Sequence, residues 1–300
     1  MNITDISLCQ LPDIVVISGP TASGKTKMAV EFCKKYNGEI ISCDSRQVYK
    51  YLDIGTNKEG IFLENDIREV DGILQHLTDI VTPDKSYSAD EFKTQADSKI
   101  KEIQNKDKIP VIVGGTGLYI KALLYGLDDM PKTNETLRAQ LKKLSQDKLY
   151  DELMKLDIES AQKNKSNPQR LIRALEINII SGKTVKEHIK PKSKRYNFKH
   201  FSIVVPIEKL YSRINNRCKH MIENGMIDET KKVLSLGFSK KCPALSSIGY
   251  RHILKYLDNQ ISKEEMILEF SKDTRHYAKR QNTWFRTQNV QKDIGFVNGR

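Results

Sequence analysis

The sequence predicts an α/β fold: a parallel sheet core interrupted by an all-helical insertion domain. Three observations carry that expectation. Short apolar, β-branched runs recur at 13–18, 39–43, 109–113 and 201–206, with helical patterns such as 25–36 and 89–105 between them. That alternation belongs to a parallel α/β sheet. The stretch 130–195 has no strand-like run and instead repeats leucines at helical spacing, Leu137, Leu141, Leu144, Leu149, Leu153 and Leu156. Finally, a glycine-rich loop joins the first strand to the first helix.

Length and composition agree with this layout. A chain of 300 residues with 38% hydrophobic and 29% charged side chains can bury a sizeable core and is neither disordered nor fibrous. Its longest apolar run, 14–17, is far shorter than the roughly 20 residues that cross a bilayer, so no membrane partner is expected. Residues 1–12 carry Asp5 and no basic segment followed by an apolar one, so no leader is visible and a cytoplasmic protein is expected. Five scattered cysteines, Cys9, Cys33, Cys43, Cys218 and Cys242, form no C-x-x-C pair. They argue against a disulfide framework or a structural zinc and read as thiols in a reducing compartment. Nothing suggests an obligate partner chain, and a monomer is expected.

The net charge of +12 is unevenly placed. Residues 1–130 hold 15 basic and 20 acidic side chains, 131–200 hold 17 and 8, 201–270 hold 11 and 8, and 271–300 hold 7 and 2. A mildly acidic first part followed by a basic block and a basic tail separates a chemistry module from surfaces that face a phosphate backbone, or from basic solvated helices. The expected domains are a core of 1–129 with 196–300 and an insertion of 130–195.

In chain order, the first strand runs into Gly19, Pro20, Thr21, Ala22, Ser23, Gly24, Lys25 and Thr26, a fit to G-x-x-x-x-G-K-[ST] in its required strand-loop-helix context. The sheet is therefore P-loop NTPase-like. Backbone N–H groups of such a loop wrap phosphate oxygens, Lys25 adds charge, and the Thr26 hydroxyl can hold Mg²⁺. The second strand ends at Asp44, readable as a metal-handling carboxylate, a general base or a capping residue. The third runs into Gly114-Gly115-Thr116-Gly117 with no carboxylate, unlike a motor ATPase. Parallel strands deliver their carboxyl ends to one crevice, so Asp44, Thr116 and the loop should converge. The insertion ends at Ser181-Gly182-Lys183, the 201–206 strand returns to the sheet, and 207–286 is mostly helical. Arg213 and Arg217 lie one helical turn apart, facing a phosphate or merely solvent. Trp284, within the basic run 279–286, reads first as a core residue and second as a stacking platform for single-stranded RNA. No D-D-x-x-D cluster is present, so any diphosphate must sit on the loop.

Taken in order, GPTASGKT at 19–26, Asp44-Ser45-Arg46-Gln47-Val48-Tyr49, Asp53-Ile54-Gly55-Thr56, 114–119, Asn167-Pro168-Gln169-Arg170 with Arg173-Ala174-Leu175-Glu176, Ile248-Gly249-Tyr250-Arg251 and 279–286 resemble the bacterial tRNA dimethylallyltransferase family. The resemblance implies transfer of a dimethylallyl group from dimethylallyl diphosphate to N6 of adenosine 37 in tRNAs reading UNN codons. It implies Asp44 as base, Thr116 near the reacting centre, Arg217 and the loop on the diphosphate, and Mg²⁺ at Thr26. It also implies that Asp44, Ser45, Arg46, Gln47, Thr116, Arg138, Gln169, Arg170, Leu171, Ile172, Arg173, Arg251, Lys279, Arg280, Gln281, Trp284 and Arg286 face the anticodon stem-loop. The target base would have to leave its stack to reach a buried carbon. One departure is visible: Asn167 stands where the family usually has Asp, which touches local loop geometry. Because the sequence ends shortly after the last motif, no zinc-finger extension of the eukaryotic kind is expected. Three rivals remain: a phosphate-loop kinase, a prenyltransferase acting on free adenine nucleotide, and a non-catalytic RNA-binding module.

Overall fold

The computed structural model describes residues 12–287 and 294–299. Cys9 and the first eleven residues, on which the leader reading rested, lie outside the described residues. The chain divides into two compact units, Met1–Tyr125 with Lys194–Arg300, and Gly126–Ser193.

The larger unit begins with β1 (Ile14–Ser18), α1 (Lys25–Tyr36), β2 (Gly38–Ser42), β3 (Ile61–Phe62), β4 (Arg68–Val70) and β5 (Ile73–His76). It continues through α2 (Ala89–Gln104), β6 (Ile109–Gly114) and α3 (Gly117–Tyr125). After the second unit come β7 (Phe198–Val204), α8 (Ile207–Glu223), α9 (Met226–Ser235), α10 (Tyr250–Leu257), α11 (Lys263–Thr287) and β8 (Ile294–Asn298), the helix numbers α4–α7 belonging to the second unit. The sheet order is β3-β4-β5-β2-β6-β1-β7-β8. From β5 to β8 every pairing is parallel. Successive residues of the central strands face opposite sides: Val15 and Ile17 join one apolar cluster with α1, α8 and α10, while Ile14 and Val16 join another with α2 and α3. The sheet is thus buried on both faces, as a parallel sheet requires.

Two features depart from the sequence reading. The edge β3-β4-β5 is antiparallel, and Val70 pairs with Ile73 across Asp71-Gly72, both with positive φ (50° and 82°). That is a two-residue type I′ hairpin, and the Asp-Gly pair is its sequence signal. The strand expected at 201–206 starts at Phe198, because Ile14 to Ser18 pair with Phe198 to Ser202 and draw Lys199 into the ladder.

The second unit holds α4 (Glu135–Leu141), α5 (Gln146–Leu156), α6 (Ile158–Asn164) and α7 (Pro168–Ser181) around a core that includes Leu141, Leu149, Leu153, Ala161, Leu171 and Leu175. Its limits differ from the expected 130–195 by a few residues for a local reason. Gly126 has φ 79° and ends α3, while Arg195 donates to Leu123 O at 2.8 Å and to Asp97 at 2.7 Å, which fastens it to the larger unit.

Candidate active site

The phosphate loop lies between the carboxyl end of β1 and the first turn of α1. Ala22 (φ 62°) and Gly24 (φ 89°) take left-handed conformations that turn the backbone round on itself. Lys25 Nζ donates to Pro20 O at 2.7 Å. Ser23 is buried, and its hydroxyl has no hydrogen-bond partner. Burial pushes the Lys25 ammonium down to about 8, with the Asp44 charge opposing, so an anion beside it recovers part of that cost.

Register brings the other strand ends alongside: Ser18 pairs with Gly114, and Ser42 with Val113. A Cβ on Gly114 would stand 1.9 Å from Cys43 O, so the two strand ends approach this closely only with glycine there. Asp44 follows, and its Oδ1 accepts from Arg46 N at 2.8 Å, which orients the carboxylate with its own turn. Thr116 Oγ1 accepts from Ser45 N at 3.0 Å, so the hydroxyl sets the Asp44-Ser45 backbone.

From the far side α8 and α11 close the site. Arg217 donates from Nε to Asn57 Oδ1 at 2.9 Å and from NH1 to Thr21 Oγ1 at 3.3 Å. Burial lowers its guanidinium from the ordinary value, against the opposing charge of Glu59. The resulting cavity, about 740 Å³, is lined by the loop, Asp44, Arg46, Gln47, Glu59, Arg213, Arg217, Arg251 and Arg280, with Met221, Ile248, Phe270 and Tyr277 adding apolar wall. Such a volume suits a small organic ligand. Its wall offers cations toward an anionic end, a carboxylate for proton transfer, and hydrocarbon for an apolar chain.

A family model described as IPP transferase matches residues 47–288. A tRNA dimethylallyltransferase of Endomicrobium trichonymphae is 68% identical over 288 residues, covering 96% of this chain and 95% of that relative. The chain belongs to the IPP transferase family. A second relative of the same name, from Anoxybacillus flavithermus, is 44% identical, with 92% of this chain and 88% of that relative covered. Among solved structures, the tRNA isopentenylpyrophosphate transferase of Bacillus halodurans is similar at TM-score 0.68 and 37% identity, covering 95% of this chain and 89% of that one. A eukaryotic dimethylallyltransferase captured acting on tRNA reaches TM-score 0.80 at 28% identity, covering 95% of this chain and 73% of the other.

As an IPP transferase the chain brings Asp44, Arg46, Gln47, Arg217, Arg251, Arg280, Gln281 and residues 21–26 of the loop to one cavity, whose lining does not include Thr116, and several residues expected at the RNA also make contacts within the protein. Gln281 is buried; its amide accepts from Thr21 N at 2.9 Å and donates to Gly115 O at 3.0 Å, which makes it a strut between the phosphate loop and the segment after β6. Leu171 and Ile172 sit in the core of the second unit, so their side chains hold helices together, whereas Gln169 and Arg170 are exposed. Trp284 is half-buried and packs where a Cβ on Gly117 would meet its ring at 2.4 Å, in line with the core reading. Lys279, Arg280 and Arg286 are exposed, Arg280 over the Tyr277 ring at 5.8 Å. Arg251 pairs with Asp273.

Within the second unit Arg138 and Arg173 converge on Glu176, fully buried, at 3.1 and 2.5 Å. Burial would raise that carboxyl, but Arg173, the Asn134 N–H and Arg138 outweigh it and hold it below the usual glutamate value. Asn167 Oδ1 accepts from Arg170 N at 3.1 Å and caps α7. Asn caps as well as Asp, so the departure from the family spelling leaves the loop geometry in place. The sequence assigns no role to Glu176 or Tyr277 and places Gln281 at the RNA, because the contacts these residues make depend on partners far along the chain.

Proposed function

We propose that this IPP transferase moves a dimethylallyl group from dimethylallyl diphosphate to N6 of adenosine 37 in tRNAs reading UNN codons, giving N6-(dimethylallyl)adenosine and diphosphate. The observation that carries the reading is the convergence of phosphate loop, Arg217 and Asp44 on one cavity. The exocyclic amine is a weak nucleophile because its lone pair is delocalised into the adenine ring. As N6 bonds to the allylic carbon, the carbon–oxygen bond to diphosphate breaks, and the N6 proton passes to the Asp44 carboxylate. Loop N–H groups, Lys25 and Arg217 hold the charge that gathers on the departing diphosphate, where preorganised donors act most strongly.

The loop fits a Mg²⁺-diphosphate. The Ser23 hydroxyl lacks a partner and Thr26 lines the cavity. Among the described residues no group of three or more His, Cys, Asp or Glu could cage a metal, so the ion would rest on Thr26 and phosphate oxygens, as Mg²⁺ commonly does. Bound there, it would further neutralise the leaving group. The exposed Arg170 of the helical unit, with Arg46, Arg251 and Arg280, supplies cations for the anticodon arm, the neighbouring Gln169 amide offers hydrogen bonds to it, and the helical unit is read as binding its stem. The protein is read as a monomer and as cytoplasmic, the latter in keeping with the buried free thiols of Cys33, Cys43, Cys218 and Cys242. Among the described residues no helix is long and apolar enough to cross a membrane.

The test incubates the protein and Mg²⁺ with unmodified tRNA, once with dimethylallyl diphosphate and once with ATP, and reads the RNA by mass spectrometry. A dimethylallyl adduct on adenosine 37 in the first tube alone is expected. No adduct there, with ATP consumed when a small acceptor is present, would replace this reading with a kinase.

A further inference from the structure

Two sequence motifs, Asp53-Ile54-Gly55-Thr56 and Ile248-Gly249-Tyr250, are left without a chemical role by the reaction, and they meet at one side chain. Glu229, in the first turn of α9, accepts from three successive backbone N–H groups: Asp53 at 2.6 Å and Ile54 at 2.7 Å on Oε2, and Gly55 at 3.1 Å on Oε1. The Tyr250 hydroxyl, on a fully buried ring, donates to the same Oε1 at 2.6 Å. A Cβ at residue 55 would come within 2.4 Å of that phenol oxygen, so the loop can settle onto Tyr250 only with glycine there. Charge-assisted bonds from consecutive amides grip a loop far more firmly than a helix-end charge does. The neighbouring Asp228 shows the ordinary alternative, exposed and paired with Lys231 at 3.3 Å.

What the seated loop holds is the catalytic machinery. Thr56 O and Asn57 O accept from Gln47 Nε2 at 3.4 and 3.0 Å, three residues past Asp44. Asn57, left-handed at φ 52°, accepts from Arg217 Nε at 2.9 Å. We propose that Glu229, with Tyr250 as its donor, is a positioning residue for group transfer: it seats loop 53–57 so that Asn57 aims Arg217 at the diphosphate. The inference rests on the reading of Arg217 as a diphosphate ligand.

The experiment uses full-length Glu229→Gln, Tyr250→Phe, Asn57→Ala and the double variants with Asn57→Ala. It measures KM and kcat with dimethylallyl diphosphate, and the Kd for inorganic diphosphate and for tRNA. Glu229→Gln raises KM and the diphosphate Kd about tenfold while the tRNA Kd moves less than about twofold. Tyr250→Phe shows the same split at about threefold. Added to Asn57→Ala, either substitution changes these constants by less than about twofold, because the path to Arg217 is already cut. Multiplying losses in the double variants, or a fall in kcat and tRNA binding with diphosphate binding intact, would overturn the proposal. If Glu229→Gln does not fold, Tyr250→Phe in the Asn57→Ala background decides in the same way. Diphosphate binding that is indifferent to Arg217→Ala defeats the Arg217 reading itself, a result distinct from additivity.

Discussion

Gln281 offers the sharpest separation between a residue that touches RNA and one that builds the site. Its amide bridges Thr21 N and Gly115 O at 2.9 and 3.0 Å, linking segments 260 and 166 residues away in sequence. Gln281→Ala removes two hydrogen bonds from a nearly buried position. At a net worth of about 0.5–1.5 kcal/mol each, the loss is about 2 kcal/mol, or about 4–8 °C in Tm for a unit of this size. Because the phosphate loop loses its tie to the Thr116 segment, kcat/KM for dimethylallyl diphosphate should fall about tenfold, as misplacement of reacting groups commonly costs. Binding of tRNA, measured by filter retention, should stay within about twofold. Gln281→Glu sharpens the contrast: it keeps an acceptor for Thr21 N but loses the donor to Gly115 O and sets a carboxylate near the diphosphate, so its KM should exceed that of the alanine variant. An unchanged Tm together with a tenfold weaker tRNA complex would refute the strut and return Gln281 to the RNA interface.

Asp44→Asn should lower kcat about 10²–10⁴-fold with the tRNA Kd retained, whereas a non-catalytic binding module would show no such loss. With Lys25 at about 8 in the free protein, raising the pH above 8 deprotonates it and removes charge from the loop. Diphosphate affinity by calorimetry should therefore weaken by up to about tenfold per pH unit there, and Lys25→Arg should flatten the profile. In the helical unit Glu176→Gln leaves Arg138 and Arg173 without their buried counter-charge. A destabilisation of about 2–3 kcal/mol is expected by thermal melting, toward the low side for a broken buried pair because both arginines are partly exposed. Since the folded Glu176 carboxyl lies below its ordinary value, its contribution is present above the usual glutamate range and is lost as pH falls through the folded value. Acid melts should show this, and the variant should not.

What was legible in the sequence is what short-range geometry imposes. Glycine spacing in the phosphate loop, the β-branched run before it and the helical pattern after it reappear as β1, the left-handed turns at Ala22 and Gly24, and α1. The change of texture after residue 130 likewise reappears as a separate helical unit. The hairpin at Asp71-Gly72 is equally local, but its strands β4 and β5 are only three and four residues long, and Arg68 and Glu69 on β4 hide the alternation.

By itself, then, the sequence determined the site's chemistry: which residue types could grip a diphosphate, take a proton or cap a helix, because backbone sterics and side-chain functional groups act over a few residues. Only the tertiary structure decided which of those groups are available. Gln281 turned inward to Gly115 and Thr21, Leu171 went to a core, and Glu229 was joined to a loop 174–176 residues away. A hydrogen bond needs its partners within about 3 Å. Across such separations only packing of the whole chain sets that distance.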